Sequence, residues 1–259
     1  MSAEMKGPGI FWVGSSIAAS SRDILDEETF LRWYDEDHIP EIVRTSGVDS
    51  GFRYVDVEKG SPAAPKPFLA FYPIEDMAFT QGAEFKNIGY KSDILPGTGV
   101  VFDLVDFNIR NFGVVGKTEA KAKKEPAQFI LVSTIEPVSE ASDDEVNEFY
   151  DEQTAAISKA SNYLRTIRLK VLDARTNAQS SDLKGLPTTN EPAPAPAPAP
   201  ELAAEPPIWQ AVHEFSSEPA AGIKDSIRGS SNQVLKRAKQ KELHVYKLAK
   251  ALGSGRFFE

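Results

Sequence analysis

The chain holds three histidines and no cysteine. Proton chemistry near neutral pH therefore falls to His38, His213 and His244, while thiolate nucleophiles, Cys-ligated zinc, iron–sulfur clusters and disulfides are excluded. His38 sits in the run Trp33-Tyr34-Asp35-Glu36-Asp37-His38-Ile39-Pro40. The Pro40 ring disfavours helical continuation through Ile39, so the spacing predicts that a helix ends at His38. There the helix dipole stabilises the imidazolium, and Asp35 and Asp37 push its pKa the same way. His38 so placed is a candidate general acid or base, with Tyr34 and Tyr72 to orient a substrate. The alternative is an imidazole that caps the helix carbonyls and packs on Trp33.

The other two histidines lie in period-two strand patterns. His213 shares a face with Trp209 and Ala211, and His244 shares one with Tyr246 and Leu248. If those faces are interior, His213, His244 and Tyr246 join Phe11 and Trp33 as candidate substrate-binding groups in an aromatic cavity; otherwise they are ordinary sheet residues facing helices or solvent. Asp103 and Asp106 read equally well as an inward carboxylate or as surface charge. No His spacing signals a metal, and no phosphate loop, G-x-S-x-G elbow or dinucleotide fingerprint is present. Thirty-eight acids against twenty-nine bases give a net charge of −9, a field that repels nucleic acid. The apolar stretch at residues 10–13 is too short for a signal-peptide core or a membrane span. A cytoplasmic protein without a membrane partner is expected.

These residues must be positioned by elements, and the elements repeat. Phe11-Trp12-Val13-Gly14-Ser15-Ser16-Ile17 matches Phe129-Ile130-Leu131-Val132-Ser133-Thr134-Ile135. Phe30, Trp33 and Tyr34 at i, i+3 and i+4 match Val146, Phe149 and Tyr150, and both aromatic pairs run into Asp-Glu. Gly51-Phe52-Arg53-Tyr54-Val55 pairs with Tyr163-Leu164-Arg165-Thr166-Ile167, and residues 67–72 pair with residues 208–213. A second helix, at about 79–88 and 223–239, and a fourth strand, at 102–107 and 243–248, complete each copy. The order β-α-β-β-α-β, twice, is the ferredoxin-like unit. Each unit has one bare sheet face, so two copies can pack sheet to sheet and close into a barrel. The predicted fold is α+β: tandem ferredoxin-like repeats forming an internal pseudo-dimeric α+β barrel. The first repeat covers residues 8–115 and the second 127–255, with a basic linker at 116–126. An insertion rich in Pro and Ala at about 177–207 is read as an extended, disordered spacer.

Residues 33–40, followed by Gly51-Phe52-Arg53-Tyr54, resemble the helix-1 and strand-2 signature of the EthD-like dimeric α+β barrel proteins, especially the fused two-repeat forms common in fungi. Thr154 stands where the second repeat would have the counterpart of His38, and Ala156 where it would have that of Pro40. The resemblance implies that only the first copy carries chemistry. It also implies a cofactor-independent enzyme acting on a small apolar or aromatic, polyketide-like molecule held in the barrel. His38 would move a proton in a lyase, isomerase, cyclase or oxygenation step. The alternatives are a non-catalytic or stress-related barrel that sequesters a hydrophobe, and a scaffold whose Ala-Pro loop recruits a partner. Haem, bound through a single His by some relatives of the fold, is the one cofactor weighed against none. The fused repeats make a monomer with an internal pseudo-dimer and leave room for a homodimer.

Overall fold

Side-chain alternation decides which face of each strand turns inward. In β1 (Gly9–Ile17), Ile10 and Trp12 point to one core and Phe11 and Val13 to the opposite side. The computed structural model, which describes residues 5–119, 125–186 and 207–255, carries that alternation around a closed ring. After β1 come α1 (Glu27–Arg32), a π-helical turn at Trp33–His38, and α2 (Ile39–Val43). Then follow β2 (Ser50–Asp56), β3 (Phe68–Ile74), α3 (Ala83–Lys86), α4 (Val101–Leu104) and β4 (Val105–Lys117). The second copy holds β5 (Phe129–Glu136), α5 (Asp143–Ile157), β6 (Tyr163–Arg175), α6 (Asn177–Leu183), β7 (Trp209–Phe215), α7 (Gly222–Arg228), α8 (Gln233–Arg237) and β8 (Gln240–Gly253).

The strands close in the order β1-β3-β2-β8-β5-β7-β6-β4. Within it stand two ferredoxin-like sheets, β4-β1-β3-β2 and β8-β5-β7-β6, joined edge to edge by antiparallel seams. One seam sets Tyr54 opposite Leu248, and the other sets Phe112 opposite Val171. The predicted α+β barrel of two fused repeats is the observed fold. At the start of α5, the Ser142 hydroxyl accepts from the Glu145 N–H at 3.2 Å and the Glu145 carboxylate from the Ser142 N–H at 2.8 Å, a capping box that explains the acidic run there.

The lumen is a core. Trp12, Phe52, Tyr54, Phe71 and Phe112 of the first repeat meet Ile130, Ile167, Val212 and Tyr246 of the second. Phe71 stacks on Trp12 at 5.6 Å and on Tyr54 at 5.4 Å between centroids. An eight-stranded barrel is just wide enough for its side chains to fill it, and here they are aromatic. The expectation of a substrate inside the barrel is therefore corrected: side chains occupy that space.

Four local expectations also change. The second helix expected over 79–88 is a 3₁₀ turn at Met77–Gln81 followed by the short α3. The fourth strand of the first repeat starts at Val105, because residues 101–104 turn as α4. The helix expected over 223–239 is two, α7 and α8, parted at Gly229-Ser230-Ser231-Asn232. Residues 177–183, expected in the extended insertion, form α6. The Ala-Pro tract at 192–200 and residues 120–124 of the linker lie outside the described residues. Among the described residues no helix is long and apolar enough to cross a membrane.

Candidate functional site

A cleft of about 110 Å³ opens between the first-repeat sheet and its helices. Its floor is the outward face of the sheet, Phe11 and Val13 from β1 with Phe107 and Ile109 from β4. Its walls are Trp33, His38 and Ile42 on one side and Phe85, residues 88–90, Val101 and Phe102 on the other. Phe11 meets Phe85 edge to face at 5.0 Å. Arg175, Ser180 and Lys184 reach the same cleft from the second repeat.

The sequence at Pro40 explains how His38 arrives there. Asp26 caps α1 by accepting from the Thr29 N–H at 2.7 Å. The helix then meets a residue with no N–H, whose ring clashes with the carbonyl four residues back. The chain answers with the π turn, in which the Ile39 N–H bonds the Tyr34 carbonyl five residues back. In an α-helix, positions i and i+5 are about 140° apart around the axis; in a π turn they face each other. His38 accordingly lies flat on Trp33, with centroids 4.5 Å apart and planes 17° off parallel.

The helix runs on through α2, so His38 is not at a C-terminus and the predicted upward pKa shift is overturned. Burial pulls His38 down to about 4, with Lys184 adding to the fall and Asp37 opposing it. Asp35, expected to help hold the charged form, is engaged in a fork with Arg53, at 2.8 Å to Nε and 2.7 Å to Nη2. That fork, together with Gly51, ties the helix motif to the strand motif. A Cβ on Gly51 would stand 2.6 Å from Ile39 Cγ2 and 2.9 Å from Tyr72 Cε1, so a bare backbone is what lets α2 sit against β2. Neither ring nitrogen of His38 has a hydrogen-bond partner among the described residues. At neutral pH this is a free, uncharged imidazole against an apolar cleft.

The structure brings His38, Trp33 and Phe11 together in the cleft and places the other candidates elsewhere. The Tyr34 hydroxyl lies 3.1 Å from Ser15 Oγ in the core, and burial raises its pKa. Tyr72 is buried behind Phe11, 5.8 Å between centroids, its hydroxyl without a hydrogen-bond partner among the described residues and its pKa also raised by burial. His213 is fully buried on the helix side of the second sheet. Its Nδ1 accepts from Thr166 Oγ1 at 2.7 Å and its Nε2 donates to Gln153 Oε1 at 2.9 Å, while the Gln153 amide donates to Ser133 Oγ at 3.1 Å. With both nitrogens satisfied in an uncharged network, burial pulls it down to about 3. His244 pairs with Asp56 at 2.8 Å across the seam between the repeats. Tyr246 belongs to the lumen core. Asp103 takes a hydrogen bond from Thr98 at the surface, and Asp106 is exposed.

Sequence reasoning missed Lys184 and Arg175. A signal for the element that carries Lys184 was present: Thr176-Asn177-Ala178-Gln179 is a capping box, with the Thr176 N–H donating to Gln179 Oε1 at 2.8 Å and the Gln179 N–H to Thr176 Oγ1 at 3.3 Å. The second repeat has a cleft of its own, about 290 Å³, between Phe149, Gln153 and Ile157 of α5 and Ile223, Ser226 and Ile227 of α7, and no histidine lines it. Among the described residues no three His, Asp or Glu side chains gather as metal ligands would.

No family model and no curated protein sequence matches the chain. Among solved structures, the chain is similar to a candidate monooxygenase from Fusobacterium nucleatum subsp. nucleatum, 12% identical, with 98% of each chain covered and a TM-score of 0.54. It is also similar to an anthrone oxidase-like protein, 14% identical, with 99% of this chain and 97% of that one covered and a TM-score of 0.51. At such identities the likeness shows the fold: two ferredoxin-like units closed into an α+β barrel.

Proposed function

We propose that the first-repeat cleft is the active site of a cofactor-independent enzyme that takes one ring of a small apolar or aromatic molecule and moves a proton through His38. The observation that carries this reading is the His38 imidazole itself, uncharged, without a hydrogen-bond partner and held flat on Trp33 at the wall of an apolar cleft. A dry cavity of about 150 Å³ takes a benzene ring; this cleft, about 110 Å³ but open on one side, has room for a single ring. The EthD-like resemblance supports the same reading, since its signature covers Trp33, His38 and Arg53. We take residues 8–115 and 127–255 as fused repeats in a cytoplasmic protein, the second copy standing in for a second subunit.

A pKa of about 4 makes His38 a weak base before reaction. Proton removal from the ligand leaves an anion beside the new imidazolium, and against a mostly apolar lining that attraction is stronger than in water. The pair is stabilised as the proton transfers and not before, which is the condition for catalysis. Lyase, isomerase, cyclase and oxygenation steps can all begin this way. Two solved proteins with this fold are named for oxygenation, so that reaction is the first to try. Anthrone offers the test: its enolate with molecular oxygen gives anthraquinone and water. The protein is expected to accelerate anthraquinone formation, and His38→Ala to lose about 100-fold or more. Equal rates in the two proteins would remove His38 from the mechanism. The apolar lining also suits a protein that only holds a hydrophobe, and anthrone bound without turnover would favour that. Haem would need the cleft to open well beyond the size of one ring; a Soret band in purified protein would show that it does.

A further inference from the structure

The protein carries nine more acids than bases, yet the residues lining the His38 cleft include two basic side chains, Lys184 and Arg175, and no carboxylate. Resting on the reading of this cleft as a ligand site, we propose that it selects rings bearing an acidic oxygen, a carboxylic acid or phenol bound as its anion, and that Lys184 and Arg175 of the second repeat set this specificity.

Lys184 is half-buried and has no ion-pair partner among the described residues. Its Nζ donates instead to the carbonyls of Lys86 and Ile88, at 2.5 and 2.7 Å. Two carbonyls orient an ammonium without neutralising it, and an ammonium has a third donor. A half-buried charge without a counter-ion is costly, and an anion in the cleft supplies one. Arg175 also lines the cleft and is held through Nε by Asp173 Oδ2 at 2.8 Å. Three acids stand behind this arrangement, Asp173 paired with Arg175, Glu41 acting on Lys184 and Asp37 on His38, but none of them lines the cleft. The loop carrying Lys184 is itself anchored. Asn177, at the start of α6, accepts from the Phe107 N–H at 2.8 Å and donates to the Val105 carbonyl at 2.6 Å. The same two cations would face the oxyanion left when His38 removes a proton, where fixed charges have their largest catalytic effect.

Benzoate and benzamide present the same ring and nearly the same shape, and differ in charge. Calorimetric titration at pH 7 is expected to show benzoate bound at least tenfold more tightly. In Lys184→Met the benzoate to benzamide ratio should fall towards one with benzamide affinity unchanged, Lys184→Arg should restore the preference, and Arg175→Met should reduce it. Equal binding of the two probes to the wild type, or a preference surviving in both methionine variants, would overturn the proposal while leaving the cleft as a ligand site. Binding of neither probe, or binding that leaves the His38 ring resonances unmoved, would instead sink the reading of the cleft. Should Lys184→Met fail to fold, the wild-type ratio and Arg175→Met still decide.

Discussion

His38 and His213 are both held uncharged by burial, at about 4 and about 3, yet one has no hydrogen bond and the other has two. The difference separates an imidazole available to a ligand from one that is part of the frame. Both values lie below the ordinary 6.5, and the sign of the consequence follows. At pH 7 each folded ring is neutral and the unfolded one largely so, and each contributes little to the pH dependence there. As pH falls below 6.5 the unfolded chain binds a proton that the native state refuses, so stability falls until the native value is reached. His213 hydrogen-bonds Thr166 and Gln153, neither of which carries charge, and burial is what moves it, so its share can be isolated. His213→Gln keeps a donor and an acceptor in the network. It should cost about 1 kcal/mol at pH 7 and shrink the loss of stability between pH 6.5 and 4.5 by about 2 kcal/mol. Urea midpoints of both proteins at the two pH values measure this. An unchanged loss would mean that His213 is not the group refusing the proton.

The π turn is the element on which the site depends, and it makes a prediction about a residue that touches no ligand. Pro40→Ala restores an N–H and removes the clash, so the turn can relax to α-helix and carry His38 off Trp33. Stability should hold or rise while anthrone turnover falls tenfold or more. Full turnover in the variant would show that something other than Pro40 keeps the π turn. The same segment shows what was legible and what was not. The aromatic spacing of Phe30, Trp33 and Tyr34 marked the helix, and the motif marked His38. Proline, however, was compatible with two outcomes, an ended helix or a bulged one, and local preference does not choose between them. Packing does, because α2 must continue against Gly51 and the Arg53–Asp35 fork. Strand pairing misled in one place. Matching Tyr54 with Thr166 aligned the chemistry of β2 and β6, but Tyr54 faces the lumen and Thr166 the helix side beside His213, and a one-residue slip is enough to exchange faces. Lys184 was missed because the proline-rich composition that follows it made the capping box before it read as part of the spacer.

At the scale of the molecule, the repeats share one core and not merely an edge. The five aromatics that the first repeat sends into the lumen pack on Ile130, Val212 and Tyr246 of the second, so each sheet loses its inner covering if the other leaves. The two seams β2·β8 and β4·β6 are long, and His244–Asp56 crosses the first of them. A chain of this length often unfolds in steps, but this shared core predicts a single step. Trp33 reports on the first repeat's helix side and Trp209 on the second's, so two variants that each retain one of them, with Trp12 replaced by Phe, give independent signals. Both fluorescence transitions should fall at the same urea concentration. Phe71→Ala, in the middle of the aromatic stack and 2% exposed, should cost about 3–5 kcal/mol and move both transitions together. If the Trp209 transition stays in place while that of Trp33 shifts, the repeats are separate cooperative units that only touch. The lumen would then be an interface, and the cleft's two cations from the second repeat would be recruited by docking rather than built in by folding.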